Sequence, residues 1–341
     1  MNSSARSQLR LAIIGCGAVT ERGHLPATVK LDRAQVTLLM DKNRSRAEEL
    51  AGRFKVLHVA NDYTQIFDQV DAAIVALPHH LHAPVSIEFL KRGVHVLVEK
   101  PMALNVAECD AIIEAAQQSG ATLAVGIMRR FLPSYQFVKS AIDSDFLGRI
   151  DSFDIREGLV YRWPIASDFF FRKETAGGGV LVDTGAYTMD TVQWWFGNCK
   201  SLKYLDDSRG GVEANCEIHL QMESGTEGYI ELSRTRNLRN TAIIRGERGT
   251  IEVSVRSSSI SIHPNGLSGN VVGNVLEAQT TASKGESLVD LLEAEIEDWV
   301  EAITAKREPR VLGEEGRKSV ALIEACYKNR KPLELPWLSP K

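Results

Sequence analysis

Short, uniformly apolar runs alternate with amphipathic stretches through the first third of the chain. Leu11–Ile14, Val36–Met40, Val56–Val59, Ala72–Leu77, His95–Val98 and Thr122–Val125 are too short for buried helices. They read as strands covered on both faces. Between them, Ser45–Arg53, Pro84–Arg92 and Val106–Gln118 place apolar residues at helical spacing, and Gly93 and Gly120 stand where C-caps belong. Strands alternating with helices in this way predict a parallel, doubly wound sheet.

The rhythm changes after about Gly126. A helix around Ser134–Ile142 leads into an extended stretch, Arg149–Val160, and then into the glycine-rich Ala176–Gly185. From Lys200 to about Ile262 the apolar positions alternate with polar ones, as in Glu213–Met222, Glu227–Ser233, Thr241–Arg245 and Thr250–Val255. Turn residues such as Glu223-Ser224-Gly225 separate the runs, so the pattern predicts an antiparallel sheet with one covered face. Ser268–Lys284 is polar and without periodicity and reads as a loop. Leu288, Leu291, Leu292, Ile296, Trp299, Val300 and Ile303 then mark a helix, and Glu314–Asn329 a second. The expected organisation is an α/β domain over residues 1–127 and an α+β domain over 128–341, whose last helices are free to pack back on the first domain.

Composition narrows the function. A net charge of −4 over 341 residues offers nothing to attract a polyanion, so no nucleic-acid partner is expected. Five scattered cysteines with no C-x-x-C spacing indicate neither a disulfide framework nor a zinc site. No apolar run approaches the roughly 18 residues of a membrane span. Ile13-Ile14-Gly15-Cys16 resembles a lipoprotein cleavage box, but the apolar stretch before it is too short for a signal region. A cytoplasmic protein is the expectation.

Candidate chemistry sits at the ends of the strands. Gly15-Cys16-Gly17-Ala18-Val19-Thr20 follows the first strand directly. Glycine at its first position permits a tight turn, and at the second lets main chain approach a pyrophosphate, although Thr20 replaces the usual third glycine. Asp41 ends the second strand 24 residues after Gly17, where a carboxylate would meet ribose hydroxyls and repel a 2′-phosphate. NAD is therefore favoured, with NADP kept open by Arg44 and Arg46 nearby. Asp41 is otherwise an ordinary loop acid. His79-His80-Leu81-His82 follows a strand end without a matching carboxylate or cysteine spacing, so no metal is predicted. Lys100, in Glu99-Lys100-Pro101, stands at the carboxyl end of its strand, the edge where open α/β sheets bind ligands.

Taken together these residues resemble the Gfo/Idh/MocA oxidoreductases. The likeness is carried by Gly15-Cys16-Gly17 with His24-Leu25-Pro26, by Leu77-Pro78-His79-His80-Leu81-His82-Ala83-Pro84, and by Val98-Glu99-Lys100-Pro101. Gly126 with Arg129-Arg130 adds to it, as does Gly177-Gly178-Gly179-Val180-Leu181-Val182-Asp183-Thr184-Gly185-Ala186-Tyr187 through Asp190. The resemblance implies a Rossmann domain followed by an open, mainly antiparallel sheet used for substrate and for assembly. It places Lys100 beside the nicotinamide. Cofactor contacts are expected from Gly15, Cys16, Gly17, Ala18, Val19, Asp41, Arg44, Ala76, Leu77, His79, His82, Glu99, Lys100 and Arg129. The family pairs an Asp with a His four residues on; here the pair is Asp183 and Tyr187, a departure shared with glucose–fructose oxidoreductase.

If a helix opens at Asp183, Tyr187 shares its face and Asp190 lies one turn further. A phenol with a pKa near 10 is a poor base alone, but a nearby ammonium such as Lys100 favours the phenolate. Lys100, Tyr187 and Asp183 are thus the expected catalytic set. Arg130, Tyr161, Trp163 and Arg172 are expected to join them in contacting substrate, since aromatic faces and guanidinium forks suit sugars. Each also has a plain structural reading: Lys100 as an ion-pair partner, Tyr187 as a packed ring, Asp183 as a helix cap, Gly177–Gly179 as a tight turn. The reaction implied is hydride transfer between nicotinamide and a carbinol or keto carbon of a sugar, polyol or sugar derivative. Two rivals remain, an NAD-retaining glycosidase or lyase and a non-catalytic NAD-sensing regulator. A small-molecule carbohydrate or polyol partner, no membrane, and a homodimer or homotetramer complete the expectation.

Overall fold

The structure, a computed structural model, describes residues 8–164, 167–266, 271–274 and 287–334. They fall into two compact units. One holds the residues up to Met128 with Pro164–Ser167 and Ser287–Arg317; the other holds Arg129–Trp163, the residues from Asp168 to Glu286, and those from Lys318 onward.

In the first unit β1 (Leu9–Ile14) leads through a π-helical turn, Thr20–His24, into α1 (Leu25–Thr28). There follow β2 (Ala34–Met40), α2 (Arg44–Phe54), β3 (His58–Ala60), β4 (Ala72–Val75), α3 (His82–Leu90), β5 (His95–Glu99), α4 (Val106–Ser119) and β6 (Leu123–Gly126). The six strands lie parallel in the order β3-β2-β1-β4-β5-β6, the Rossmann arrangement. From Leu11 onward β1 is buried, as are β4 and nearly all of β5, because both faces are covered, so their apolar runs are continuous rather than alternating. Gly120 caps α4 in the left-handed region at φ 72°. Gly93 does not cap α3: that helix stops at Leu90 and Gly93 follows in the turn at φ 75°.

The second unit opens with α5 (Pro133–Asp143) and β7 (Ile150–Gly158), followed by α6 (Lys173–Ala176), α7 (Val180–Asp183) and α8 (Gly185–Phe196). Its remaining strands are β8 (Cys199–Asp206), β9 (Asn215–Met222), β10 (Glu227–Ser233), β11 (Thr241–Gly246), β12 (Gly249–Ser254), β13 (Ser259–Pro264) and β14 (Val271–Asn274). α9 (Leu288–Ala305) belongs to the first unit, α10 (Gly313–Lys328) runs from the first into the second, and β15 is Arg330–Pro332. The described strands form a sheet in the order β14-β13-β12-β11-β7-β10-β9-β8-β15. Most neighbours are antiparallel, but β10–β7 and β15–β8 are parallel, so the sheet is mixed.

Three sequence expectations change. The polar stretch Ser268–Lys284 contains β14; the rest of it lies outside the described residues. Strands β8, β13 and β15 gave no separate signal, being short or mixed in polarity. The helix expected from Asp183 opens at Val180 instead, and Asp183 ends that first short segment. Thr184 keeps right-handed helical angles (φ −74°, ψ −40°), so the backbone continues helically into α8. Asp183 is therefore not a helix cap; Gly179 holds that position.

Two hydrophobic surfaces hold the units. Trp299, Ile296 and Leu292 of α9 join Leu11, Ile13, Ile74 and Leu97 in the core of the first unit. In the second, Phe153 of β7 stacks on Phe196 of α8 at 4.3 Å with ring planes nearly parallel. Gly228 on β10 makes room for it: a Cβ there would stand 2.1 Å from the Phe153 ring.

Candidate active site

The turn after β1 is shaped from within. Gly15 has φ 104°, and a Cβ there would meet the Ala76 carbonyl oxygen at 2.2 Å, so only glycine fits against the end of β4. At Gly17 nothing stands within 4 Å of where a Cβ would be. The main chain at the start of the helical turn through Ala18 and Val19 stays approachable, as a pyrophosphate requires. Thr20 explains the missing third glycine: its buried hydroxyl donates to the Gly15 carbonyl at 2.6 Å and ties the turn shut. The Cys16 thiol is buried and pushed up to about 12 by desolvation and the nearby Asp41, so it is no nucleophile.

Asp41 directly follows β2 and accepts the N–H groups of Cys16 and Asn43, each at 2.8 Å. A carboxylate has about four acceptor positions, which leaves room for ribose hydroxyls. The neighbouring arginines are engaged elsewhere. Arg44 pairs with Glu48 at 2.8 Å. Arg46 donates to the Cys16 carbonyl at 3.2 Å and to Glu49 at 2.9 Å, and pairs with Glu21 at 2.5 Å. This turn and its carboxylate fit a dinucleotide.

At the carboxyl ends of β4 and β5 the polar groups are mostly committed. Ala76 is buried, Leu77 half-buried, and His79 only 4% exposed. The ring nitrogens of buried His82 lie 2.8 Å from two carbonyl oxygens, Nδ1 from Pro101 and Nε2 from Leu77. Donating to both would require the imidazolium, which burial disfavours, pushing the pKa down to about 4. His82 thus ties together the two turns that follow β4 and β5. Lys100 is half-buried at the end of β5, its main-chain N–H on Glu99 Oε2 at 3.2 Å and its peptide to Pro101 cis.

Behind Lys100 lies a buried acid cluster that the sequence did not reveal. Glu99 Oε1 is 2.8 Å from His24 Nε2. Burial pushes Glu99 up to about 7, against the charge of Lys100, and pushes His24 down to about 4. The contact is therefore a hydrogen bond to a neutral ring rather than an ion pair. Glu295 of α9, also buried, is raised well above an ordinary carboxyl by desolvation and by Glu99.

In the second unit the arginines and acids sort into pairs. Arg129 is forked on Glu157 (2.8 and 2.6 Å) while its guanidinium carbon lies 4.8 Å from the Tyr187 ring centre. Arg130 is forked on Asp190 (2.9 and 2.6 Å) and lies over Trp194. Both pairs are buried. Tyr187 thus carries a cation on its face from within its own unit. Asp183, four residues earlier, faces Arg234 Nη2 at 3.7 Å. The glycines before it are demanded by packing. A Cβ on Gly178 would stand 1.8 Å from the Tyr327 hydroxyl, and one on Gly179 would stand 1.9 Å from the Glu213 carbonyl oxygen. Glu213 then accepts the N–H groups of Gly179 and Leu181 at 2.9 and 3.0 Å and the Tyr327 hydroxyl at 2.8 Å. Tyr161 is half-buried, whereas Trp163 and Arg172 are exposed, Arg172 pairing with Asp168. Among the described residues no cluster of histidines, cysteines and acids is placed to hold a metal ion. No described helix is long and apolar enough to cross a membrane.

A parallel sheet in Rossmann order, a glycine turn with a carboxylate at the next strand end, and a lysine at the sheet's carboxyl edge define an NAD-binding oxidoreductase domain. Residues 9–127 match the oxidoreductase family with an NAD-binding Rossmann fold, and residues 135–252 match the Gfo/Idh/MocA C-terminal domain. The chain belongs to the Gfo/Idh/MocA oxidoreductases. It is 25% identical over 342 residues to 4-carboxy-2-hydroxymuconate-6-semialdehyde dehydrogenase of Sphingobium sp., spanning 96% of this chain and 98% of that one. It is 29% identical over 262 residues to an NADP(+) scyllo-inositol 2-dehydrogenase of Bacillus subtilis, covering 72% and 76% of the two chains. The crystal structure of levoglucosan dehydrogenase with NADH and levoglucosan shares the fold, with a TM-score of 0.85, 20% identity, and coverage of 95% and 97%.

Proposed function

We propose that the protein is a dehydrogenase or reductase that moves hydride between nicotinamide and a carbinol or keto carbon of a sugar, polyol or related hydroxy compound. The observation that carries this reading is the cation on the face of Tyr187. Arg129, forked on Glu157, lies over that ring and places a guanidinium beside the phenol. Tyr187 takes the hydroxyl proton in the oxidative direction and returns it in the reductive one. Lys100, at the carboxyl end of β5, is the proposed neighbour of the nicotinamide, and Asp183 the proposed acceptor of a substrate hydroxyl. The bound nicotinamide supplies the hydride acceptor or donor. Gly15, Cys16, Gly17, Ala18, Val19 and Asp41 would hold the dinucleotide. Support for the substrate class comes from relatives named for inositol and levoglucosan.

NAD is the proposed partner over NADP, because Asp41 would repel a 2′-phosphate and Arg44 and Arg46 are held by Glu48, Glu49 and Glu21. An assembly of two or four copies belongs to the same proposal.

The test is a screen of sugars, inositols and sugar nucleotides by NADH absorbance with both cofactors. Tyr187→Phe should lower kcat about 10²–10⁴-fold, the usual range for a lost proton-transfer group. The pH–rate profile of the parent should show its basic limb well above the value of about 6.5 that a histidine would give. Full turnover by Lys100→Met, or a limb near 6.5, would sink the assignment. Product released without net NADH would point instead to a hydrolase or lyase.

A further inference from the structure

Tyr161 and Arg234 stand side by side just beyond the ends of β7 and β10. The Tyr161 N–H donates to the Arg234 carbonyl at 2.8 Å, and the Arg234 N–H donates to that of Ala214 at 2.9 Å. Their side chains stay together, the guanidinium carbon 5.4 Å from the Tyr161 ring centre. Arg234 is deeply placed, with its side chain 11% exposed.

This cluster differs from the other buried arginines of its unit. Arg129 and Arg130 have their forks filled by Glu157 and Asp190. In Arg234 both Nε and Nη2 are buried without a hydrogen-bond partner, and so is the Tyr161 hydroxyl. Asp183 stands 3.7 Å from Nη2, near enough to attract the charge and too far to accept a hydrogen bond. The Tyr161 phenol is held up to about 12 by burial and by the charge of Asp183, so it remains a donor at neutral pH.

Three buried donors with no acceptor call for a group made of acceptors. The Nε–Nη2 edge of a guanidinium matches the two oxygens of a carboxylate, which bring no hydrogen of their own. A sugar hydroxyl carries its own proton and can fill only part of this set. Orphaned buried donors are costly, which gives a binding oxyanion a gain that a neutral group cannot match.

We propose that Arg234 and Tyr161 form a carboxylate-binding subsite beside Asp183, and that the preferred substrate is a hydroxy acid such as a sugar acid rather than a neutral sugar. The proposal rests on the reading that Asp183 and Tyr187 face the reacting carbon. Arg234 is the residue that sets specificity, with Tyr161 completing the fork.

The test uses the full-length protein saturated with NAD. D-gluconate, D-glucuronate and L-tartrate are compared with D-glucose and sorbitol, by calorimetry for binding and by NADH absorbance for turnover. At least tenfold tighter binding of one or more acids is expected. Arg234→Gln should lose tenfold or more for the acid and less than threefold for the neutral compounds, Arg234→Lys should recover part of the loss, and Tyr161→Phe should lose threefold to tenfold. Tyr161→Phe removes one oxygen, so it serves should Arg234→Gln fail to fold. Equal binding of acids and neutral sugars, binding of no acid, or an equal loss for both classes in the variants would overturn the subsite. Acid binding that depends on Arg234 without any turnover would uphold the subsite and sink the dehydrogenase reading. Turnover of neutral sugars together with binding of no acid would do the reverse.

Discussion

At the scale of single residues, charge burial decides most of what this chain can do. Arg129 and Glu157 lie 28 positions apart in sequence and Arg130 and Asp190 lie 60 apart, so neither pairing could be read from spacing. Removing one member of such a buried pair strands the other and costs about 3–5 kcal/mol. Glu295 is the opposite case, because neither of its oxygens has a hydrogen-bond partner. Its pKa and that of Glu99 are raised in the fold, Glu99 to about 7. A raised carboxyl pKa contributes stability that is present below the ordinary value and is lost as pH rises through the folded one. Glu295→Gln should therefore melt above the parent at pH 8, by several degrees for roughly 1–2 kcal/mol, with the gap shrinking at pH 5. Melting curves at the two pH values check this, and a gap that widens at pH 5 would contradict the burial of an acid there.

At the scale of elements, the period of the apolar positions foretold strands and helices well where packing is uniform. β1, β4 and β5 are covered on both faces, and α9 has one apolar stripe in the core of its unit. It failed where an element is short or marginal, as in β14 and β15, of four and three residues. Such strands draw their order from a neighbour across the sheet rather than from local preference. Glycines mark where elements approach closely. Gly228→Ala would drive a methyl into the Phe153 ring, which is itself stacked on Phe196. A loss of about 1–3 kcal/mol in denaturant unfolding is expected, partly recovered by adding Phe153→Leu. An unchanged midpoint would contradict the close packing of Phe153 over Gly228.

For the whole molecule, cofactor binding is linked to stability. A ligand that binds only the folded chain stabilises it by about 2.7 kcal/mol at one hundred times its Kd. NAD should therefore raise the melting temperature by several degrees at saturating concentration. NADP at the same concentration should raise it by less, since Arg44 and Arg46 are held by acids and the Asp41 carboxylate would repel a 2′-phosphate. An equal or larger rise with NADP would reverse the cofactor preference without touching the family assignment.

The amino-acid order alone determined the alternation of strand and helix, the glycine turn after β1, the acid at the end of β2 and the lysine at the end of β5. These are local consequences of side-chain period, backbone freedom at glycine and position along one strand. The partners of the buried charges were decided only in three dimensions. Tyr187 under Arg129, His82 between two main-chain carbonyls, Glu295 behind Glu99, and the unfilled edge of Arg234 all join groups from separate elements. Burial sets how strongly such charges interact, and it exists only once the elements have packed.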